Sequence, residues 1–161
     1  MHSNRSRAVF AGTAATLLVL AGGFAVSQNA PAVKPDQAVK YRQSVYKVIL
    51  WNFGPMAAMV RGQAPWDQAE FTRRAERVAT MAPMLLEGYP TGSGPEAGVH
   101  TRAKPELWTN MDDFRSLMKS MEGKAADLAT VAKDGDADKT KAAFGELGKA
   151  CGACHDKYRT D

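Results

Sequence analysis

Apolar residues recur at intervals of three and four positions along most of the chain beyond residue 35, and this spacing predicts helices. We expect a first helix from Asp36, acting as N-cap, to about Gly62, with a kink at Gly54-Pro55. A second helix is expected to be capped near Asp67 and to be shortened by Pro83. The inward positions of these two helices are Val39, Tyr46, Ile49, Phe53, Met56 and Val60, then Phe71, Ala75, Val78, Ala82 and Leu85.

Two further helices follow a long irregular connection over residues 88–104, which is rich in Gly, Pro and Thr. The third is expected to start after Pro105 and to run to about Lys133, and the fourth begins after the break at residues 134–136. No segment alternates apolar and polar residues for long enough to predict a strand. Four helices joined mostly by short turns predict an all-α fold, an antiparallel up-down-up-down four-helix bundle over residues 36–161.

The N-terminal residues 1–27 have the pattern of a signal peptide. Arg5 and Arg7 precede an uncharged apolar run from Ala8 to Val26, and small residues follow where cleavage would occur. Residues 28–35 then form a linker to the bundle. This pattern predicts export to the periplasm; a membrane-anchored form is the alternative if the segment stays uncleaved.

The charge pattern argues against one class of partner. The formal charge is +4, and removal of Arg5 and Arg7 with the signal leaves 19 basic against 17 acidic residues. These charges are interleaved, without a basic run or an aromatic stacking platform. Nucleic acid is therefore not an expected partner.

The chemistry of the chain is concentrated near its C-terminus, at Cys151-Gly152-Ala153-Cys154-His155. A C-x-x-C-H run is typical of covalent attachment of haem c through both thiols, with the adjacent His coordinating the iron. The chain has no other cysteines. A thioredoxin-like redox pair would require a preceding strand, and a zinc site would require further ligands nearby. We therefore predict one covalently bound haem per chain, with His155 as the metal ligand.

The bundle topology predicts which residues face that haem. The end of the fourth helix lies beside the start of the first, where no Met or His occurs between Val39 and Leu50. Tyr46 lies on the inward stripe of this window and is a poor iron ligand as a neutral phenol. It is therefore expected to be a bulky distal residue above five-coordinate iron. The alternative is six-coordinate, low-spin iron in an electron-transfer protein, with Met84 or Met111 as sixth ligand. His100 is a further rival ligand, but it lies in the long connection and is expected to be exposed.

Three polar residues are further candidates for this site. Arg42 and Gln43, one turn before Tyr46, are expected to contact a haem propionate; the alternative for both is an exposed helix face. Arg159 follows His155 by four residues, so it is placed beside the proximal side of the haem. There it either hydrogen-bonds a ligand bound on that side or only solvates the helix end.

These residues together resemble the cytochrome c prime family of class II c-type cytochromes, and the similarity covers essentially the whole chain after the signal. It is carried by residues 39–44 (Val-Lys-Tyr-Arg-Gln-Ser), 62–65 (Gly-Gln-Ala-Pro), 104–108 (Lys-Pro-Glu-Leu-Trp), 144–145 and 148–159. Such a set of segments is far more specific than the C-x-x-C-H motif alone.

The resemblance implies a periplasmic homodimer with five-coordinate, high-spin iron that binds nitric oxide and carbon monoxide. Electron transfer with a redox partner protein is a further suggested role. By position, His155 matches the proximal ligand, Arg159 the proximal-pocket arginine, and Arg42 and Gln43 the propionate neighbours. Tyr46 falls on the distal position, which is often Leu in the family and a ligating Met in its low-spin members. Here a hydroxyl introduces the option of a hydrogen bond to bound gas.

An enzymatic role is the least favoured interpretation of the sequence. A peroxidase needs a distal acid–base group, usually His, above the iron. Tyr46 and Arg42 are a weak substitute for such a group. We therefore expect a binding protein and not an enzyme.

Overall fold

The computed structural model describes residues 33–161, so the expected signal peptide and the first part of the linker lie outside the described residues. Four long helices form an antiparallel up-down-up-down bundle, as predicted: α1 (Pro35–Val60), α2 (Gln68–Met81), α5 (Met111–Lys133) and α6 (Ala137–Tyr158). Two short helices, α3 (Met84–Glu87) and α4 (Glu106–Thr109), and a 3₁₀ turn (Pro95–Ala97) lie in the connection between α2 and α5. No helix of residues 33–161 is long and apolar enough to cross a membrane.

The N-cap of α1 lies two residues before the predicted one, because a proline takes the first helical position. Pro35 begins the helix, and Lys34 is the N-cap without a side-chain hydrogen bond. The expectation that Asp36 caps this helix is wrong. The fixed φ of proline suits the first position, where its missing N–H is not needed. Asp36 instead lies in the first turn and accepts a hydrogen bond from Lys40 Nζ at 3.0 Å.

The predicted third helix is divided in two at Asn110. This residue has φ −123° and ψ 39°, outside the helical region, and separates α4 from α5. Its side-chain Nδ2 and backbone N–H both donate to the Glu106 carbonyl, at 2.8 and 3.1 Å. A side chain that satisfies its own local backbone competes with helix continuation. The expectation of one continuous helix from Pro105 is therefore wrong.

The proline inside α1 is accommodated by a side chain of α2. Pro55 has no N–H, so the Trp51 carbonyl lacks its usual partner four residues later. Arg74 supplies one: its Nη1 donates to the Trp51 oxygen at 3.1 Å. The same guanidinium pairs with Glu70 at 2.6 Å. One residue of α2 therefore compensates for a helix-breaking residue of α1.

The second helix begins and packs as predicted. Asp67 caps α2, accepting from the Glu70 N–H at 2.9 Å, and all five predicted inward residues of this segment are buried.

Aromatic residues from α1, α2 and α6 contact one another in the core. Phe53 of α1 stacks on Phe144 of α6 with ring centroids 4.4 Å apart, and Phe71 of α2 contacts the edge of Phe144. Elsewhere, the backbones of α1 and α6 lie farther apart than those of the other three adjacent helix pairs. The bundle is therefore widest along the α1–α6 seam.

Candidate haem site

The last turns of α6 carry the three residues that the motif singles out. Cys151, Cys154 and His155 are all half-buried, and both cysteines are free thiols. Burial raises the pKa of both thiols, that of Cys154 to about 11. Burial and the nearby Arg159 cation lower the pKa of His155. The imidazole is therefore neutral at neutral pH, and one ring nitrogen is free to coordinate a metal.

The end of α6 is held in place by the loop before α4. Residues 103 and 159 form an isolated antiparallel bridge, Lys104 N donates to Tyr158 O at 2.9 Å, and Thr160 N donates to Arg102 O at 2.9 Å. The buried Tyr158 donates its hydroxyl hydrogen to Asp113 of α5 at 2.5 Å. These contacts fix the turn that carries His155.

Arg159 lies beside His155. Both residues line an open cleft of about 510 Å³, whose other walls are Lys104, Asp156, Thr160 and Asp161. Arg159 is exposed and has left the helix: it is the C-cap, with extended backbone, and its N–H donates to His155 O at 3.0 Å. Its role towards a proximally bound ligand stays a prediction.

Across from α6, Tyr46 of α1 lies near Cys154. Its half-buried hydroxyl is 3.2 Å from the hydroxyl of Tyr89. Burial, the neighbouring Tyr89 and the Cys154 thiol together hold the pKa of Tyr46 well above its ordinary value. The residue that α1 brings towards the thiols is therefore a neutral phenol, which is a poor ligand for iron.

Arg42 is fully enclosed, with only 2% of its surface exposed. Nη1 donates to Gly88 O at 2.7 Å and to Ser93 Oγ at 3.0 Å; Nη2 donates to Ser93 O at 2.7 Å and to Thr101 Oγ1 at 2.8 Å. None of these acceptors is a carboxylate, so within residues 33–161 the cation has no hydrogen-bonded counter-ion. The alternative of an exposed helix face is wrong for Arg42.

Gln43 joins Arg42 in holding the connection between α3 and α4. Its Nε2 donates to the His100 carbonyl at 2.8 Å, and the side chain is half-buried. Both residues thus attach α1 to the loop that borders the site. Their predicted contact with a propionate stays a prediction.

Two aromatic residues of the site were not singled out from the sequence. Tyr89 packs below the Arg42 guanidinium, whose carbon lies 4.5 Å from the ring centroid, and Trp108 lies 5.8 Å from the same carbon. Trp108 Nε1 donates to Pro90 O at 3.1 Å. Tyr89 follows Gly88 within the irregular connection, where no periodicity indicates a direction. The sequence feature that could have identified Tyr89 is an aromatic residue among Gly and Pro residues.

The alternative sixth ligands lie either against the hydrophobic core or on the surface. Met84, in α3, and Met111, the first residue of α5, are half-buried and pack against the hydrophobic core. His100 is exposed, as expected.

The residues of this site fit a haem group. The two thiols lie one turn apart in α6, next to a neutral histidine and opposite a seam where the helix backbones are widely spaced. Arg42 adds a buried cation whose hydrogen-bond acceptors, among the described residues, are all neutral. Two thiols and an adjacent imidazole are the donor set of covalently bound haem c.

Comparison with known proteins agrees with this assignment. The family model described as Cytochrome C' matches residues 37–159. Cytochrome c' from Alcaligenes xylosoxydans xylosoxydans is 38% identical over 126 residues, which cover 78% of this chain and 95% of that protein.

Solved structures give the same result. Cytochrome c prime from Shewanella frigidimarina superposes with a TM-score of 0.75 at 39% identity, covering 79% of this chain and 97% of that one. A mutant of cytochrome c prime from Alcaligenes xylosoxidans, in complex with nitric oxide, superposes with a TM-score of 0.72 at 35% identity, covering 80% and 98%.

Proposed function

The chain belongs to the cytochrome c prime family, and on that premise we propose that it binds small diatomic gases, nitric oxide and carbon monoxide, at five-coordinate, high-spin iron. Its cofactor is haem c, attached through Cys151 and Cys154. When bound, the haem supplies an iron centre with one position for an external ligand. The nitric oxide complex of a relative supports the choice of ligand.

The observation that carries this proposal is the protonated Tyr46 near Cys154. A side chain that cannot readily lose its proton competes weakly for iron, so the sixth position is left to small molecules. Met84 and Met111 are occupied in core packing, which argues against low-spin electron transfer as the main role.

In this proposal different residues of the chain serve the two sides of the haem. His155 would hold the haem iron, because its neutral imidazole leaves a nitrogen lone pair available. Arg159 lies beside it and offers hydrogen-bond donors to that side. Arg42 and Gln43 hold the loop that carries Tyr89 and so set the distal wall.

The test is the absorption spectrum of the dithionite-reduced holoprotein before and after carbon monoxide is added. We expect a high-spin spectrum that shifts readily with the gas, and the same behaviour in Met84→Leu and Met111→Leu. A low-spin spectrum indifferent to carbon monoxide would contradict gas binding. If one of the two Met variants then became high-spin, the six-coordinate electron-transfer alternative would take its place.

We expect binding without catalytic turnover. The group that α1 contributes near the thiols is a neutral phenol, whereas peroxide cleavage needs a distal acid–base residue with a pKa near the working pH. The measurement is peroxide consumption by the purified holoprotein with a standard electron donor. Rapid turnover would make the protein an enzyme.

We further propose a homodimer formed through α1. Val48 and Trp51 are 44% and 76% exposed and lie on one side of that helix, which leaves an apolar stripe on the surface. We expect Trp51→Glu to shift the sedimentation coefficient to that of a monomer. Leu50→Glu is the matched control, because Leu50 is 65% exposed and lies about 100° around α1 from Trp51, off the stripe. A monomeric wild-type protein, or equal effects of both variants, would contradict this interface.

The proposed location is the periplasm, after removal of residues 1–27. N-terminal sequencing of the mature protein from a periplasmic fraction tests this. Retention of residues 1–27 in a membrane fraction would instead indicate the anchored form.

A further inference from the structure

Two half-buried tyrosine hydroxyls face each other near the thiol of Cys154. The oxygens of Tyr46 and Tyr89 lie 3.2 Å apart, so one hydroxyl donates to the other. Each phenol has one hydrogen, and the contact uses only one of the two. Within residues 33–161, neither hydroxyl has a second hydrogen-bond partner. The other hydrogen is thus left for an acceptor that is not one of these residues.

Arg42 favours one of the two hydroxyls as the donor within the pair. Its buried guanidinium lies over the Tyr89 ring, 4.5 Å from the centroid, and is fixed there by four hydrogen bonds. A nearby cation stabilises negative charge on a phenol oxygen and makes its O–H a stronger donor. Tyr89 is therefore the stronger donor of the two, which favours a hydrogen bond from Tyr89 to Tyr46 over the reverse. The unused hydrogen then belongs to Tyr46, the residue that α1 places near Cys154.

We propose that the Tyr46–Tyr89 pair donates a hydrogen bond to the ligand bound at the haem iron. Tyr46 is the donor, and Tyr89, held by Arg42, is a positioning residue that occupies the Tyr46 oxygen and orients its hydrogen. This inference rests on the proposed gas-binding function. It makes the pocket selective for small ligands whose outer atom accepts a hydrogen bond, such as a bound nitrosyl or carbonyl oxygen.

A purely steric distal residue is the competing explanation of Tyr46, and phenylalanine separates the two. Tyr46→Phe keeps the ring and removes only the hydroxyl. Tyr89→Phe leaves the Tyr46 donor but removes the group that orients it. Tyr41→Phe is the matched control, because the Tyr41 hydroxyl donates to Glu87 on the surface at 2.6 Å.

The experiment is the infrared C–O stretch of the carbon monoxide complex of the reduced holoprotein. A hydrogen bond to the carbonyl oxygen lowers this frequency, so we expect Tyr46→Phe to raise it. Carbon monoxide should then dissociate roughly two- to tenfold faster, the loss expected for one hydrogen bond. Tyr89→Phe should raise the frequency less, and Tyr41→Phe should leave it unchanged. In wild type, the frequency should also shift on transfer to D₂O, a readout that needs no variant.

The outcomes separate this inference from the function on which it rests. If carbon monoxide binds but the stretch is the same in wild type and Tyr46→Phe, and D₂O has no effect, the hydrogen bond is refuted while gas binding stands. If the wild-type protein does not bind carbon monoxide, both proposals fail. An equal or larger effect of Tyr89→Phe would overturn the assignment of Tyr46 as the donor.

Discussion

Replacing Gly88 by alanine tests how closely the loop beside the site approaches α1. A Cβ at this position would lie 2.4 Å from Arg42 Cβ, 3.2 Å from Arg42 Cα and 3.3 Å from the Ala38 carbonyl oxygen. These atoms belong to the backbone of α1 or are fixed directly to it, so no side-chain rotation relieves the clash. Gly88 has φ −82° and ψ 13°, which alanine adopts readily. The penalty is therefore steric.

The magnitude follows from two opposed effects. Forcing a methyl group into a packed contact costs about 1–3 kcal/mol. Replacing glycine lowers the entropy of the unfolded chain and returns about 0.4–1 kcal/mol. We expect Gly88→Ala to lose about 1–2 kcal/mol of unfolding free energy. Moving the loop outwards would also lengthen the 2.7 Å hydrogen bond from Arg42 to Gly88 O.

Gly123→Ala is the matched control, because a Cβ at Gly123, inside α5, meets no atom within 4 Å. There alanine should stabilise the helix by about 1 kcal/mol. Guanidinium denaturation of both holoprotein variants, followed by far-UV circular dichroism, should give shifts of opposite sign in the midpoint at a constant slope. If Gly88→Ala were as stable as Gly123→Ala, the close contact between Gly88 and Arg42 would be refuted.

Three further perturbations test other contacts of the bundle. Arg42→Lys should cost about 2–4 kcal/mol in guanidinium denaturation, because one ammonium cannot serve all four acceptors and leaves buried carbonyls unpaired; an unchanged midpoint would contradict this. Arg74→Met should cost about 1 kcal/mol less in a Pro55→Ala background than in wild type, since the restored amide then satisfies Trp51 O; strict additivity in the double-mutant cycle would refute the compensation. Hydrogen bonds from Lys157 and Tyr158 lower the pKa of Asp113 below its ordinary 3.8. Above pH 3.8, the wild-type protein should therefore have a larger free energy of unfolding than Asp113→Asn. This difference in unfolding free energy should vanish as pH falls through the lowered pKa of Asp113, and a pH-independent difference would contradict the prediction.

The sequence predicted the helices well because their apolar spacing is regular, and it failed where two local preferences compete. At the start of α1, Pro35 and Asp36 both signal a helix start, and the proline, with its fixed φ, takes the first position. At Asn110, the apolar spacing from Leu107 to Met111 continues across a break that a local side-chain hydrogen bond produces.

The candidate site was predictable wherever its residues lie on helices. The motif identified Cys151, Cys154 and His155, and the helical register brought Tyr46 to the same end of the bundle. The burial of Arg42 was not predictable in the same way, because its four acceptors belong to an irregular connection whose path is not encoded by periodicity. Tyr89 is part of that connection and was missed for the same reason. The distal wall is therefore the least predictable part of the site.

The most direct test of the account is a resonance Raman spectrum of the reduced holoprotein without added ligand. Gas binding at five-coordinate iron requires that His155 be the one protein ligand of the haem iron and that Tyr46 not coordinate it. We predict high-spin marker bands together with an iron–histidine stretching band, which is characteristic of five-coordinate ferrous haem. Low-spin marker bands without that stretching band would show that a side chain of the protein fills the sixth position, and would contradict the account.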